Sequence, residues 1–226
     1  MGRRHRTLAV KLTNAQLKEF SGEHLRYEMQ MLFICRNILA GARQHSTMED
    51  TQRFAASLEA WAIHLRLLID FLYDKRGEGT DAIASDFIEE ARVPEWRRTR
   101  PKKTVDLQRA ADRAGTQVAH LSYSRKIMDP WDNFHELTEQ MSDRLSVFID
   151  HAAPARLDPH FVDVFRRLSA GPIDMSRLPV NASLEDLARI AEEPPREVVT
   201  PHTERSESVV RTMTVISTVN PIEPIG

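Results

Sequence analysis

Phe54, Leu58, Trp61, Leu65, Leu68 and Leu72 follow one another at steps of four, three, four, three and four residues. Only an α-helix turns that spacing into one continuous stripe, because each step advances close to one turn of 3.6 residues. A strand would scatter the same residues over both of its faces. The stripe predicts a helix from about Glu49 to Asp74 with a seam of the bundle type. Around the same wheel Ala60, Ile63, Leu67 and Phe71 form a second apolar surface, and Glu59, Arg66 and Asp70 hold the polar stripe that is left. A helix apolar on most sides is central in its bundle or also carries a subunit interface. Arg66 and Asp70, four apart, are spaced for a helix ion pair, and His64 falls among apolar positions as a packing histidine.

Three more stretches carry helical periodicity. Phe20, Tyr27, Met31, Ile34, Ile38 and Ala42 predict a first helix from about Asn14 to Ala42, with Gly41 as a stop. Leu107, Ala111, Ala114, Val118 and Leu121 predict a helix from about Thr104 to Met128, ended by Asp129-Pro130-Trp131. Phe134, Leu137, Met141, Leu145, Phe148 and Ala152 predict the next, Trp131 to His151. Between the second and third lie the break Lys75–Gly79, a short helix over Asp81–Glu90, and a basic run of Arg92, Arg97, Arg98, Arg100, Lys102 and Lys103 around Trp96. Pro94 and Pro101 read there as breakers. The expectation is an all-α protein, a four- to five-helix up-and-down bundle over 14–152. A short helical extension over 153–193 follows, with Phe161, Phe165 and Leu168 on one side of a helix from Asp158 to Ala170 and another helix from Ser183 to Pro194. The Pro-, Thr-, Ser- and Glu-containing stretch 194–226 reads as a disordered tail. Its Val209–Val219 segment has the β-propensity to add as a strand to a protein partner.

Composition narrows the function classes. The 226 residues are 41% hydrophobic and 28% charged, enough apolar material for one ordinary core. Lys+Arg 31 against Asp+Glu 33 speaks against a protein that coats nucleic acid by net charge alone. One cysteine, Cys35, excludes a disulfide framework and a cysteine-rich zinc site, and its place beside the first seam makes it a buried thiol. The basic start Met1–Arg6 is followed by no apolar core of a secretory signal. The most apolar stretch, Trp61–Tyr73, is interrupted by His64, Arg66 and Asp70, so no membrane span is expected and the cytoplasm is the expected location. The chain has no His-Glu-x-x-His, no paired Glu-x-x-His, no Gly-rich phosphate loop and no Gly-x-Ser-x-Gly elbow. Neither a metal nor a cofactor is expected.

Arg113 and His120 stand seven residues apart, within about 20° of each other on an ideal helix and about 130° from the Leu107–Leu121 seam. Such a pair belongs on open surface or at an interface between two bundles. The segment Arg113-Ala114-Gly115-Thr116-Gln117-Val118-Ala119-His120 on a late helix of a bundle resembles the HEPN superfamily, whose signature is an Arg, four to six residues, then a His. Glu59–Phe71 and Val118–Tyr123 also resemble uncharacterised bacterial bundle proteins. The resemblance covers about residues 14–152. It implies a metal-independent endoribonuclease of a toxin or antiviral system, acting as a homodimer that brings both Arg–His pairs into one cleft. His120 would then be the acid/base, with an imidazole that titrates near neutrality. Arg113 would stabilise charge on the scissile phosphate. Trp96, Arg97, Arg98, Arg100, Lys102 and Lys103 would guide RNA by phosphate contacts and one stacking plane. The alternative is a non-catalytic interaction module that binds a protein partner through the bundle surface or the C-terminal tail.

Overall fold

The computed structural model describes residues 12–41, 47–74, 81–118 and 133–171, all of which are helix, turn or loop. The domain is all-α. Its helices are α1 (Asn14–Phe20), α2 (Arg26–Gly41), α3 (Met48–Leu72), α4 (Val93–Thr99), α5 (Val105–Arg113), α6 (Phe134–His151) and α7 (Pro159–Ser169). Two π-helical segments, Ser21–Leu25 and Ala114–Val118, continue α1 into α2 and extend α5. The Ser183 helix, the Val209–Val219 segment and the rest of the tail lie outside the described residues.

Helix starts follow local chemistry. Thr47 caps α3 by accepting the Asp50 backbone N–H at 3.1 Å, and the Asp50 carboxylate accepts the Thr47 N–H at 3.2 Å in return. Thr13 and Gln16 close the same reciprocal box on α1. Each box satisfies amide donors that a helix start leaves without partners.

The core lies where α2 runs along α3, with α5 and α6 on α3 and α6 and α7 on α2. The Phe54–Leu72 stripe faces inward: Trp61, Leu65, Leu68 and Leu72 are buried, and Phe54 and Leu58 pack against the cluster from its edge. Trp61 donates its indole N–H to the Thr138 hydroxyl at 3.0 Å, tying α3 to α6. The second apolar surface divides. Phe71 is buried against Phe87 and Phe148, whereas Ile63 and Leu67 are 40% and 47% exposed. The extension joins the same core through Phe161, Phe165 and Leu168, all buried.

Three sequence expectations need correction. The first helix does not keep one α-helical phase. The i→i+5 bonding of Ser21–Leu25 takes up one residue more than an α turn. A seam counted straight through from Phe20 therefore reaches Tyr27, which is 48% exposed; its later members Met31 and Ile34 are buried, and the core also receives Leu17, Leu25, Met29, Leu32 and Leu39. The connection after α3 holds no helix at Asp81–Glu90. It makes two 3-10 turns, Ala84–Phe87 and Glu90–Arg92, and then α4. Pro94 sits in the first turn of α4, where its missing N–H costs nothing, and so starts a helix where it was expected to break one. The third helix also changes winding, at Ala114, so ideal-wheel angles from Arg113 onward do not hold.

Candidate functional site

The predicted site residues fall into three places. Arg113 is half-buried at the end of α5, directly before the π-helical turn. His120 lies outside the described residues. The π turn packs on α3, where Arg66 and Asp70 form the expected pair, with Nε to Oδ2 at 3.7 Å and both side chains partly buried. A Cβ on Gly115 would stand 3.1 Å from the Arg66 Nη1, so the absent side chain is what lets the guanidinium lie against the motif helix. The polar stripe of α3 thus faces the segment that carries the Arg-x6-His motif.

The basic run is mostly architecture. Trp96 is 1% exposed, set edge-on against Phe148 at 6.1 Å and tilted against His151 at 5.6 Å, so its ring offers no stacking plane to a base. It was the only aromatic residue of the run and the natural candidate for an exposed platform, yet the three-residue offset from Val93 puts both on the inner side of a short helix of about two turns. Arg100 donates to the Leu72 carbonyl at 2.7 Å and to Asp74 Oδ2 at 3.1 Å, closing the end of α3. Arg97 pairs with the same carboxylate at 3.3 Å. Asp74 itself adopts φ 57°, a left-handed conformation unusual for a residue with a side chain. Its carboxylate also accepts from the Ser85 hydroxyl at 3.0 Å, so these partners hold it there. Lys103 lies over the Tyr73 ring at 5.1 Å. Arg98 and Lys102 are exposed.

His64 behaves as the packing histidine its phase suggested: Nδ1 meets Glu28 Oε2 at 2.6 Å and the ring stands edge-on to Tyr27. Cys35 is buried, and burial pushes its thiol up from 9.0 to about 11, so it stays protonated at neutral pH.

One polar group escaped the sequence reading. Arg36 and Asn37, on α2, are only 6% and 5% exposed, yet the Arg36 Nε and Nη2 and the Asn37 Nδ2 meet no acceptor of the protein. Both residues line a cleft bounded by α2, α6 and α7. The signal was present once the phase is right: Leu25, Met29, Leu32, Arg36 and Leu39 step by four, three, four and three, which places an arginine in a core position. The seam through Met31 and Ile34 drew attention away from it, because α2 is buried on more than one face.

Among the described residues no three His, Cys, Asp or Glu side chains gather as a metal site, and no helix is long and apolar enough to cross a membrane. Comparison with protein-family models, with curated proteins and with solved structures found no match to this chain.

Proposed function

We propose that the chain is a HEPN-like helical protein that cuts RNA without a metal as a homodimer, with Arg113 at the end of α5 and His120 of the motif at the site. The observation that supports this is the seating of that helix. Directly after Arg113 it opens into a π-helical turn, a distortion that often accompanies functional sites, and there it receives the partly buried Arg66–Asp70 pair. In this reading His120 takes and returns a proton at the scissile position, and Arg113 stabilises the charge that develops on the phosphate. RNA approaches over Arg98 and Lys102, exposed cations of the run that enter no ion pair among the described residues, and not over Trp96. The test is cleavage of total cellular RNA by the purified protein in EDTA, beside His120→Ala and Arg113→Ala. Cutting by the wild type, with a loss of at least about a hundredfold in either variant, is the expected result. Equal cutting by all three proteins would remove both residues from the site.

A second reading is a non-catalytic interaction module acting on a protein partner. The exposure of Ile63 and Leu67, one turn apart on α3, favours it. It predicts no cleavage by any variant. It also predicts that Ile63→Glu with Leu67→Glu changes the oligomeric state seen by sedimentation, while Arg113→Ala and His120→Ala leave it unchanged.

A further inference from the structure

The cleft between α2, α6 and α7 has a volume of about 440 Å³ and a floor made by Arg36 and Asn37. That size is within the range of small-molecule sites, about 300–1,000 Å³. Its wall is apolar at Phe33 and Leu168, and its rim carries His135 and Glu139, which pair with each other at 3.1 Å. The Arg36 guanidinium is held 5.5 Å from the centre of the Phe33 ring, which fixes its position without using its N–H groups. Burial lowers the Arg36 pKa from its ordinary value, and the nearby Glu139 charge opposes that fall; a guanidinium starts so far above neutrality that it stays a cation.

Nε and Nη2 are the two donors on one edge of a guanidinium, and that edge matches the two oxygens of a carboxylate in parallel. Asn37 Nδ2 beside it supplies a third donor. Buried donors that meet no acceptor are costly to keep, and a cation among them more so. A protein under no other demand would place an apolar side chain at this core position. The Glu139 carboxylate at the rim disfavours a second negative charge on whatever enters.

We propose that this cleft is a binding site for a small organic carboxylate with an apolar body: the carboxylate lies on the Arg36 edge and the Asn37 amide, and the body lies along Phe33 and Leu168. The site is separate from the Arg113 helix and does not depend on the ribonuclease reading.

The experiment uses the full chain with benzoate and hexanoate as probes, and with benzamide and inorganic phosphate as controls. Binding is read by ligand-detected NMR and by the shift in thermal midpoint. The expected result is saturable binding of benzoate or hexanoate at millimolar concentration or below, with benzamide and phosphate at least about tenfold weaker, because only a monoanion with two coplanar oxygens satisfies the Arg36 edge. Arg36→Met should abolish the binding while the protein still melts cooperatively. Should Arg36→Met fail to fold, Ala40→Phe, which narrows the cleft from an exposed position on α2, must weaken the same binding. No binding of either carboxylate, equal binding of benzamide, tighter binding of phosphate, or benzoate binding unchanged in the variant that folds would each overturn the proposal.

Discussion

Arg144 and Arg36 are buried almost equally, at 7% and 6% exposure, and are treated in opposite ways. Arg144, on α6, donates from Nε to the Tyr73 hydroxyl at 2.9 Å, from Nη1 to the Gln140 carbonyl at 2.6 Å and from Nη2 to the Lys102 carbonyl at 3.0 Å. It stitches α6 to the end of α3 and to the strand of loop that precedes α5. Around it in this joint Arg100 donates to Asp74 and lies over the rings of Tyr73 and Trp96, although the buried Trp96 Nε1 meets no acceptor. Arg36 has the same chemistry and nearly the same burial, but it lines a cleft and its Nε and Nη2 meet no acceptor of the protein. Buried charge is therefore not informative by itself. What separates a structural arginine from a binding one is where its donors end.

That contrast can be broken most sharply at Trp96. If the indole is packed in that joint, Trp96→Ala removes a filled core position and lowers the unfolding free energy by about 3–5 kcal/mol in urea titration. A change below about 0.5 kcal/mol would mean the ring is accessible after all. Arg144→Met should cost about 3 kcal/mol, since it removes the hydrogen bonds to the Tyr73 hydroxyl and to the Gln140 and Lys102 carbonyls. Retention of wild-type stability there would erase the difference between the two arginines.

Cys35 precedes Arg36 and marks how far water reaches. Its thiol titrates at about 11 when folded against 9.0 as the ordinary value, so the unfolded chain loses the proton first as pH rises. Stability due to this group is thus complete below pH 9 and is lost between about 9 and 11, by at most about 2–3 kcal/mol. The measurement is the difference between wild-type and Cys35→Ala unfolding curves across that window, with other titrating groups cancelling. A flat difference would mean solvent reaches α2 beyond the cleft. The smallest effect is expected for Arg36→Met, within about 1 kcal/mol of wild type and of either sign, because the substitution removes a charge that no protein acceptor satisfies. A loss as large as that of Arg144→Met would make Arg36 structural.

Much of the fold was legible because periodicity reports burial wherever the winding is regular. The α3 seam from Trp61 to Leu72, the α6 seam and the Phe161–Phe165–Leu168 side of α7 all face the core. Two kinds of residue misled. Trp96 sat among cations, and composition around a residue says nothing about which side of a short helix it occupies. Tyr27 was misplaced because the count from Phe20 crosses the π turn, and Arg36 was passed over because α2 is buried on so many sides that its apolar residues mark no single face. The Arg66–Asp70 pair was legible as a pair from its spacing. Its position against Gly115 was not, because that contact joins segments nearly fifty residues apart in the chain.

The π turn at Ser21–Leu25 has a consequence for chain length. Leu17 and Leu25 share a face although eight residues separate them, which a regular α-helix would achieve with seven. A homologue lacking one residue in this stretch would form a plain helix and still present both ends in the same orientation. Removing a single residue between Phe20 and Arg26 would therefore keep both faces inward, where the same gap in the middle of α3 would turn half of its seam out of the core. At Gly22 the wider turn also brings backbone close to the Asp158 side chain, 3.1 Å from where a Cβ would stand, so the shortened form would have to give up or rebuild the joint to α7. The extra residue therefore sets both the phase of α2 and the approach of this turn to the start of α7.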